Sequence, residues 1–545
     1  MRPLRSPAGA APATHGPGSE RPANSAALSY ATSHAGPPVS ERRQGSAGPR
    51  RRDLTRWMRG VTSPFPRVPV RFRAMGPRIL ILARGHLGSH MSAPGIRATA
   101  QARVLAEHVP GARVTLGAPN HDFEQPADGA FEVVRWSARN LLGLVARHDI
   151  IISSGLPPHL AAFFPWRRIV VDLFSQYAME WMEVGRQHHQ GYKRHAWVQR
   201  TRTVLAMQLT MADFVLTCNE RQRDSYIGMM VSLGLISPNA YDNDATLRRY
   251  IDSAPHGIRP ELPGPGRNVF RGVHPGFKES DRIIIWNGGI IQWYDPATLL
   301  EALRILGRED IKLLFLGAAY PGIKDLGKGV RFQDARAIAA RNGQLNRTVF
   351  FEEGWVSHET AKRYVQEADI SVCSYFDNLE TRYSHRTRFV DLIWAELPFI
   401  CTHGDVLAEE VAKNGWGLVV PEEDPQALAR AIEKLIDDRE FHARCKANLA
   451  AARASLQWDV TMEPLIRFCS GERPPVSPKW ERFPGLVQRV FTYMTRRAIF
   501  QVLDNRDKRK DRERDRREKA AERARTAREA HTVEGGKAGI SAAGG

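Results

Sequence analysis

Two arginines, Arg386 and Arg388, with the acids around them and a glycine pair upstream, are the residues of this chain best placed to do chemistry. They lie in ETRYSHRTRFVDLIWAELPFICTHGD, residues 380–405. That stretch opens on a loop-like cluster of charges (Glu380, Arg382). It runs into an amphipathic helix pattern, with Phe389, Ile393 and Trp394 at helical spacing, and breaks at Pro398 into a short apolar strand, Phe399–Cys401. Arg386 and Arg388 fall at the helix start, where free backbone N–H groups and the helix dipole already favour an anion. Asp391, one turn further in, can accept hydrogen bonds from sugar hydroxyls. A phosphate clamp followed by a hydroxyl acceptor is what a nucleotide-sugar site requires.

Other candidates sit directly after strand-like runs. Gly288 and Gly289 follow Ile283–Trp286 and let the backbone approach a ligand closely; a tight turn is the competing reading. Gly95 and Arg97 open a helix after the loop at 85–94 and can face a cleft, whereas His86 and His90 there are equally compatible with a plain loop. His159, after the strand at 149–153, could bind a substrate hydroxyl or phosphate or be a satisfied loop histidine. Asp172 ends a strand and Glu180 follows it; either could hold acceptor hydroxyls. In the polar run 219–224, Asn219 is the natural helix cap. Asp242-Asn243-Asp244 has the form of an Asp-x-Asp metal motif, but Asp244 precedes Ala245–Arg248 and reads better as an N-cap.

The elements that must position these residues alternate between strand and helix from Met75 onward. Strands are expected near 78–82, 112–116, 149–153, 168–172 and 213–217. After a Pro/Gly-rich break they resume near 282–286, 311–316, 347–351, 369–373, 398–401 and 416–420. Runs apolar on both faces and separated by helices indicate parallel sheets covered on both sides. The reading is therefore α/β, with two Rossmann-like domains facing a cleft: residues 75–258, a linker at 259–276, and residues 277–456. Ligands of such folds bind where the strand C-termini meet the cleft. Helices follow at 425–453 and 457–469, the segment 457–470 crossing back to the first domain. An apolar stripe over 479–503 (Phe483, Leu486/Val487, Val490/Phe491, Met494, Ile499, Val502/Leu503) carries Arg489, Arg496 and Arg497 between its members. Residues 504–545 read as a charged helix fraying into a Gly/Ala tail.

A length of 545 residues suits two or more domains, and five scattered cysteines suggest neither a disulfide framework nor a zinc site. The net charge of +19 belongs to the ends: +10 lies in residues 1–74 and +6 in 496–545, leaving +3 for the body. Residues 1–74, rich in Ala, Gly, Pro, Ser and Arg, cannot bury enough apolar surface to offset ordering entropy and are expected to be disordered. Met75 is a candidate start, with a genuine basic arm the competing reading. Arg pairs with no apolar core behind them do not make a secretory signal, and no apolar run is long enough to span a membrane.

The chain resembles the family-4 (group 1) glycosyltransferases of the GT-B fold over about residues 77–470. The carrying segments are MSAPGIR (91–97), APHGIRPELP (254–263), WNGGIIQWYDP (286–296), FFEEGWVSHE (350–359), the 380–405 stretch and GLVVPEEDPQALARAI (417–432). The resemblance implies transfer of a sugar from a nucleoside diphosphate with retained anomeric configuration, no cofactor and no metal. It places the nucleobase against Glu353, Gly354 and Trp355, and Asp391 on the family's ribose-binding glutamate. The family's other glutamate, eight positions earlier, falls on Tyr383, leaving Glu380 as the nearby substitute. The Arg and Lys that relatives carry after the second-domain glycines are missing from 290–298, so Arg386 and Arg388 are the candidates for that charge.

The function expected is a cytoplasmic glycosyltransferase that builds a cell-surface polysaccharide, glycolipid or glycoside. It would take a nucleotide-sugar donor and a glycan or lipid-linked acceptor. Arg386, Arg388 and His159 are the expected catalytic residues, with Gly95, Arg97, Asp172 and Glu180 on the acceptor side. A sugar-nucleotide epimerase of the same fold is the alternative enzyme. A non-catalytic membrane or polyanion binder acting through the tails is the alternative of another class. Nothing in the tails suggests base readout, so no specific nucleic-acid partner is expected. The stripe at 479–503 could lie on an anionic membrane or pack back on the first domain.

Overall fold

Isoleucine- and valine-rich runs, apolar on both faces, build two all-parallel sheets in the computed structural model. It describes residues 76–88, 91–261, 264, 268–316, 330–352, 356–472 and 479–541, all within the compact unit 71–545. The segment 1–74, Met75 and His90 therefore lie outside the described residues.

The first sheet comprises β1 (Arg78–Leu82), β2 (Arg113–Ala118), β3 (Glu132–Arg135), β4 (Ile150–Ser153), β5 (Arg168–Leu173), β6 (Phe214–Thr217) and β7 (Ile251–Ser253), in the order β3-β2-β1-β4-β5-β6-β7. The second comprises β8 (Arg282–Trp286), β9 (Ile311–Phe315), β10 (Val349–Phe351), β11 (Ile370–Cys373), β12 (Phe399–Thr402) and β13 (Gly417–Val420), in the order β10-β9-β8-β11-β12-β13. Each order reverses beside the sheet's first strand, which is where open α/β sheets form a ligand crevice. The register aligns apolar residues across both sheets: Ile79 pairs with Val114 and Ile150, and Ile284 with Leu313 and Ile370.

Several sequence expectations shift by small, explicable amounts. The short edge strands β3 and β7 carry too few apolar residues to announce themselves. The helical pattern at 425–453 is two helices, because Asp438 ends Pro425–Asp437 and caps Arg439–Ala452 by accepting from Phe441 N at 2.9 Å. The one at 457–469 divides into Trp458–Thr461 and Glu463–Ser470, with Pro464 in the first turn of the second. Asp244 is not an N-cap. It ends Pro238–Asn243 and closes a turn by accepting from Thr246 and Arg249 N–H groups.

The chain passes between the sheets twice, and the two passages lie side by side. Ile258 N donates to Leu456 O at 2.8 Å and Trp458 N to Ile258 O at 3.2 Å. Gly257 must be glycine here, since a Cβ would sit 2.8 Å from Trp458 Cα. Beyond this point Trp458, Met462, Leu465, Phe468 and Cys469 complete the core on one face of the first sheet.

The C-terminal helix is continuous from Lys479 to Ser541, where the sequence suggested a stripe followed by a fraying tail. The stripe divides into two rows. Leu486, Val490 and Tyr493 pack against the core on the other face of the first sheet. Arg482 is buried and pairs with Asp213 at 3.0 Å, while Lys193 pairs with Asp504 at 2.9 Å. Phe483, Val487, Phe491, Met494 and Val502 form an outer row, with Phe491 76% exposed. Among the described residues no helix is long and apolar enough to cross a membrane.

Candidate active site

β8 runs on into Asn287-Gly288-Gly289, and hydrogen bonds join this turn to the start of the Thr387–Trp394 helix. Gly288 takes φ +106°, a backbone state that L side chains rarely adopt. Arg388 Nη2 donates to Gly289 O at 2.8 Å, and Asn287 Nδ2 donates back to Arg388 O at 2.9 Å. The Arg388 guanidinium lies 3.9 Å from the Tyr294 ring centre. Its Nη1 is buried with no hydrogen-bond partner among the described residues. An unmet guanidinium donor beside a glycine turn at a strand C-terminus is chemically suited to an anion.

Arg386 is more heavily engaged than the sequence suggests, although its Nε has no hydrogen-bond partner among the described residues. It was expected to act on substrate, yet its guanidinium is buried and engaged: with Glu380 oxygens at 3.1 and 2.8 Å, Thr381 Oγ1 at 3.0 Å and Asp405 Oδ2 at 3.6 Å. It lies between the rings of Tyr294 and Tyr375, at 5.2 and 5.0 Å. Burial alone would favour its neutral form; Glu380 first, and Asp405 among the rest, outweigh that and keep it charged. Glu380 is likewise taken up, also accepting from Ser384 Oγ at 2.6 Å, so it does not stand in for the carboxylate that Tyr383 lacks. Asp405 was missed by sequence reasoning. Burial pushes its carboxyl up to about 6 against the pull of Arg386, and it caps the Val406–Asn414 helix through Ala408 N at 2.8 Å. Arg386, Glu380 and Asp405 form a frame under the loop that carries Arg388.

Elsewhere around the glycine turn, Arg382 is exposed. Asp391 lies one turn into the helix; burial pushes its carboxyl up to about 6, with Lys362 and Arg259 opposing. Glu353, Gly354 and Trp355 lie outside the described residues.

On the acceptor side, Arg97 and Asp172 are brought together, but they occupy each other. Arg97 Nε and Nη2 meet the two Asp172 oxygens at 2.7 and 2.9 Å, and Gln101 Nε2 adds a third bond at 2.8 Å. The expectation that both contact acceptor is replaced by a buried bridge tying the helix Ala93–His108 to the end of β5. Gly95 allows that helix to start where it does: a Cβ would meet His86 O at 2.3 Å. His159 is exposed, edge-on to Phe163 at 6.2 Å, and among the described residues no contact joins it to the donor loops. The catalytic reading of His159 therefore has no geometric support.

Glu180, on the Tyr177–His188 helix, does face the donor side. Burial, then the Glu380 carboxylate, pushes it up to about 7, with Ser175 and Arg386 opposing. Two histidines that sequence reasoning passed over complete the cleft. His385 immediately precedes Arg386; neither ring nitrogen has a hydrogen-bond partner among the described residues, and burial, then Arg97, pushes it down to about 4. His256, after β7, is driven well below its ordinary value by burial, Arg97 and His385. Both rings are neutral at working pH, able to donate and accept. A histidine set directly before the paired arginines was the only sequence signal for His385. Among the described residues no group of three His, Cys, Asp or Glu side chains is placed to hold a metal ion.

Residues 273–451 match the family model described as glycosyl transferases group 1. Among solved structures, the chain is similar to WaaG, a glycosyltransferase involved in lipopolysaccharide biosynthesis. The identity is 16%, covering 72% of this chain and all of that one, with a TM-score of 0.50. It is similar to the same degree to sucrose-phosphate synthase from Thermosynechococcus elongatus, at 16% identity over 72% of this chain and 98% of that one, TM-score 0.50. These likenesses identify the architecture as the GT-B fold. No curated protein matches the sequence.

Proposed function

We propose that this chain, whose second sheet lies within the stretch that matches the group 1 glycosyl transferase model, moves a sugar from a nucleoside-diphosphate sugar to a hydroxyl acceptor. The acceptor belongs to a cell-surface polysaccharide, glycolipid or glycoside. The observation that carries the reading is Arg388, fixed under the Gly288–Gly289 turn with a buried N–H to spare. Loss of a nucleoside diphosphate builds negative charge on its β-phosphate while the sugar becomes oxocarbenium-like. A preorganised guanidinium and the first N–H groups of the Thr387–Trp394 helix stabilise that charge in place, so the reaction proceeds without a metal and, as in the family, with retention. Asp391 accepts from the ribose. The neutral ring of His385 serves sugar hydroxyls, which repays the cost of burying its unmet nitrogens, with His256 beside it. Glu180 belongs to the wall that receives the acceptor.

The outer apolar row of the C-terminal helix, with Arg497 beside it, would rest on an anionic membrane on the cytoplasmic side and bring the cleft to a lipid-linked acceptor. Phe491→Glu should then abolish flotation with anionic vesicles; unchanged flotation would remove the membrane part of the proposal.

The deciding experiment is calorimetric titration with UDP, GDP, ADP and TDP, with and without Mg²⁺. One of them should bind independently of Mg²⁺. Arg388→Ala should weaken it by roughly 10- to 100-fold, the worth of one or two charged hydrogen bonds. If no nucleotide binds, or if Arg388→Ala binds like the parent, the donor site is elsewhere or absent.

A further inference from the structure

The described cleft is held shut by side chains that none of the chemistry above uses. The helix Glu220–Ser232 begins at the C-terminal end of β6, and its first residues reach across to the donor side. Asn219 Nδ2 and Gln222 Nε2 both donate to Tyr383 O, at 3.2 and 2.8 Å. Arg221 Nη1 donates to Arg382 O at 3.1 Å and to Gly404 O at 3.2 Å, and its Nη2 pairs with Glu409.

Both amides are set in advance. Asn219 Oδ1 accepts from Gln222 N at 2.8 Å as the helix cap, and Gln222 Oε1 accepts from Cys218 N at 2.9 Å. With each oxygen committed to its own chain, each NH₂ must point across the cleft. Gln222 and Asn219 are 0% and 5% exposed, so the bonds are shielded from water. The accepting carbonyls, at 382 and 383, belong to the last turn of the Leu379–Tyr383 helix, where backbone oxygens lack partners within the helix. Gly404 immediately precedes Asp405. The grip therefore falls beside both carboxylates of the Arg386 frame, Glu380 and Asp405, and on the peptide leading into His385.

We infer that Asn219, Arg221 and Gln222 are positioning residues that form a clasp, holding the donor loop 382–386 in register with the acceptor wall when the cleft closes. Nucleotide binding to the second domain alone does not need the clasp; transfer to an acceptor does. The second statement rests on the glycosyltransferase reading, whereas the existence of the clasp does not.

Asn219→Asp separates the two jobs of that residue. It keeps the cap acceptor, which the helix N-terminus favours, but sets a carboxylate against the Tyr383 carbonyl. Asn219→Ser keeps the cap and removes the amide NH₂ that reaches Tyr383 O. Spin labels at the exposed positions Asp242→Cys and Glu433→Cys report the separation of the two sides without any ligand, the five native cysteines being buried. The parent should give one narrow distance distribution, and Asn219→Asp/Gln222→Leu a longer, broader one. In transfer assays with a donor of the base found by calorimetry, kcat should fall tenfold or more. The dissociation constant of the nucleoside diphosphate should stay within about twofold, and Asn219→Ser should fall between parent and Asn219→Asp. Identical distance distributions overturn the clasp. A longer distance with kcat unchanged, or with kcat and nucleotide affinity lost together, overturns its part in transfer. A parent that binds no nucleotide refutes the glycosyltransferase reading and leaves the distance measurement to decide the clasp by itself.

Discussion

Replacing Arg97 by methionine would test whether the bridge to Asp172 is structural. The guanidinium is 1% exposed and meets both carboxylate oxygens, at 2.7 and 2.9 Å, so its loss leaves Asp172 buried with only Gln101 as a side-chain donor. Removing one partner of a buried pair costs about 3–5 kcal/mol, because the survivor keeps its desolvation penalty without its counter-charge. For a unit of about 150–250 residues that corresponds to a melting temperature lower by roughly 6–20 °C. Arg97→Met/Asp172→Leu removes both charges and should recover at least about 2 kcal/mol relative to Arg97→Met. Thermal and denaturant unfolding of the parent, both single variants and the double variant completes the cycle. A single variant that costs under about 1 kcal/mol, or a double variant that costs the sum of the singles, would refute the buried-bridge reasoning and return Arg97 to the acceptor.

The Glu180 carboxyl, ordinarily near 4.5, stands at about 7 in the folded chain, so folding favours its protonated form. The stability tied to that proton is whole below pH 4.5 and is lost as pH rises through 7. Glu180→Gln, neutral throughout, should melt with the parent near pH 4.5 and above it at pH 8, by an amount on the order of 1–3 kcal/mol; a gap that does not change with pH would contradict this. Gly288→Ala should cost about 1–3 kcal/mol of strain at φ +106° and weaken nucleotide binding in calorimetry, whereas wild-type affinity would mean the turn is not part of the donor site. Leu486→Ala should destabilise the first domain by about 2–5 kcal/mol, and hydrogen exchange in the helix Gly191–Met211 should rise with it; unaltered protection there would show that the C-terminal helix is not part of that core.

Much of the architecture was legible because parallel strands buried on both faces are nearly pure Ile, Val and Leu, as in Ile283–Ile285. The first sheet's edge strands escaped because they are short and their residues are mixed, as in Ile251–Ser253, whereas the second sheet's edges, Val349–Phe351 and Gly417–Val420, are apolar enough to read. In the site, the meeting of Arg388 with the glycine turn could be anticipated, since loops at the C-terminal ends of neighbouring strands converge on one crevice. The capture of Arg386 by Glu380 could not: the two are six residues apart around a tight bend between helices, a geometry with no sequence period. Arg97 and Asp172 were chosen because each follows or ends a strand at the cleft. Sequence said nothing of their mutual distance, and that distance makes them each other's partner. Polar residues selected for one kind of partner had found another.

The folding of the first sheet's layer is tied to the order of synthesis. The helix Gly191–Met211 and the strand β5 leave the ribosome early, yet parts of their cover, from Trp458 to Cys469 and from Lys479 onward, are made more than 240 residues later. At about 5–20 residues per second, parts of both faces stay open for roughly 12–50 s on each nascent chain, exposing Leu205, Leu209, Phe214 and their neighbours. The second sheet, contiguous in sequence, has no such interval. A chain interrupted after the second sheet would therefore retain that sheet folded beside an uncovered first sheet, a target for chaperones or proteases.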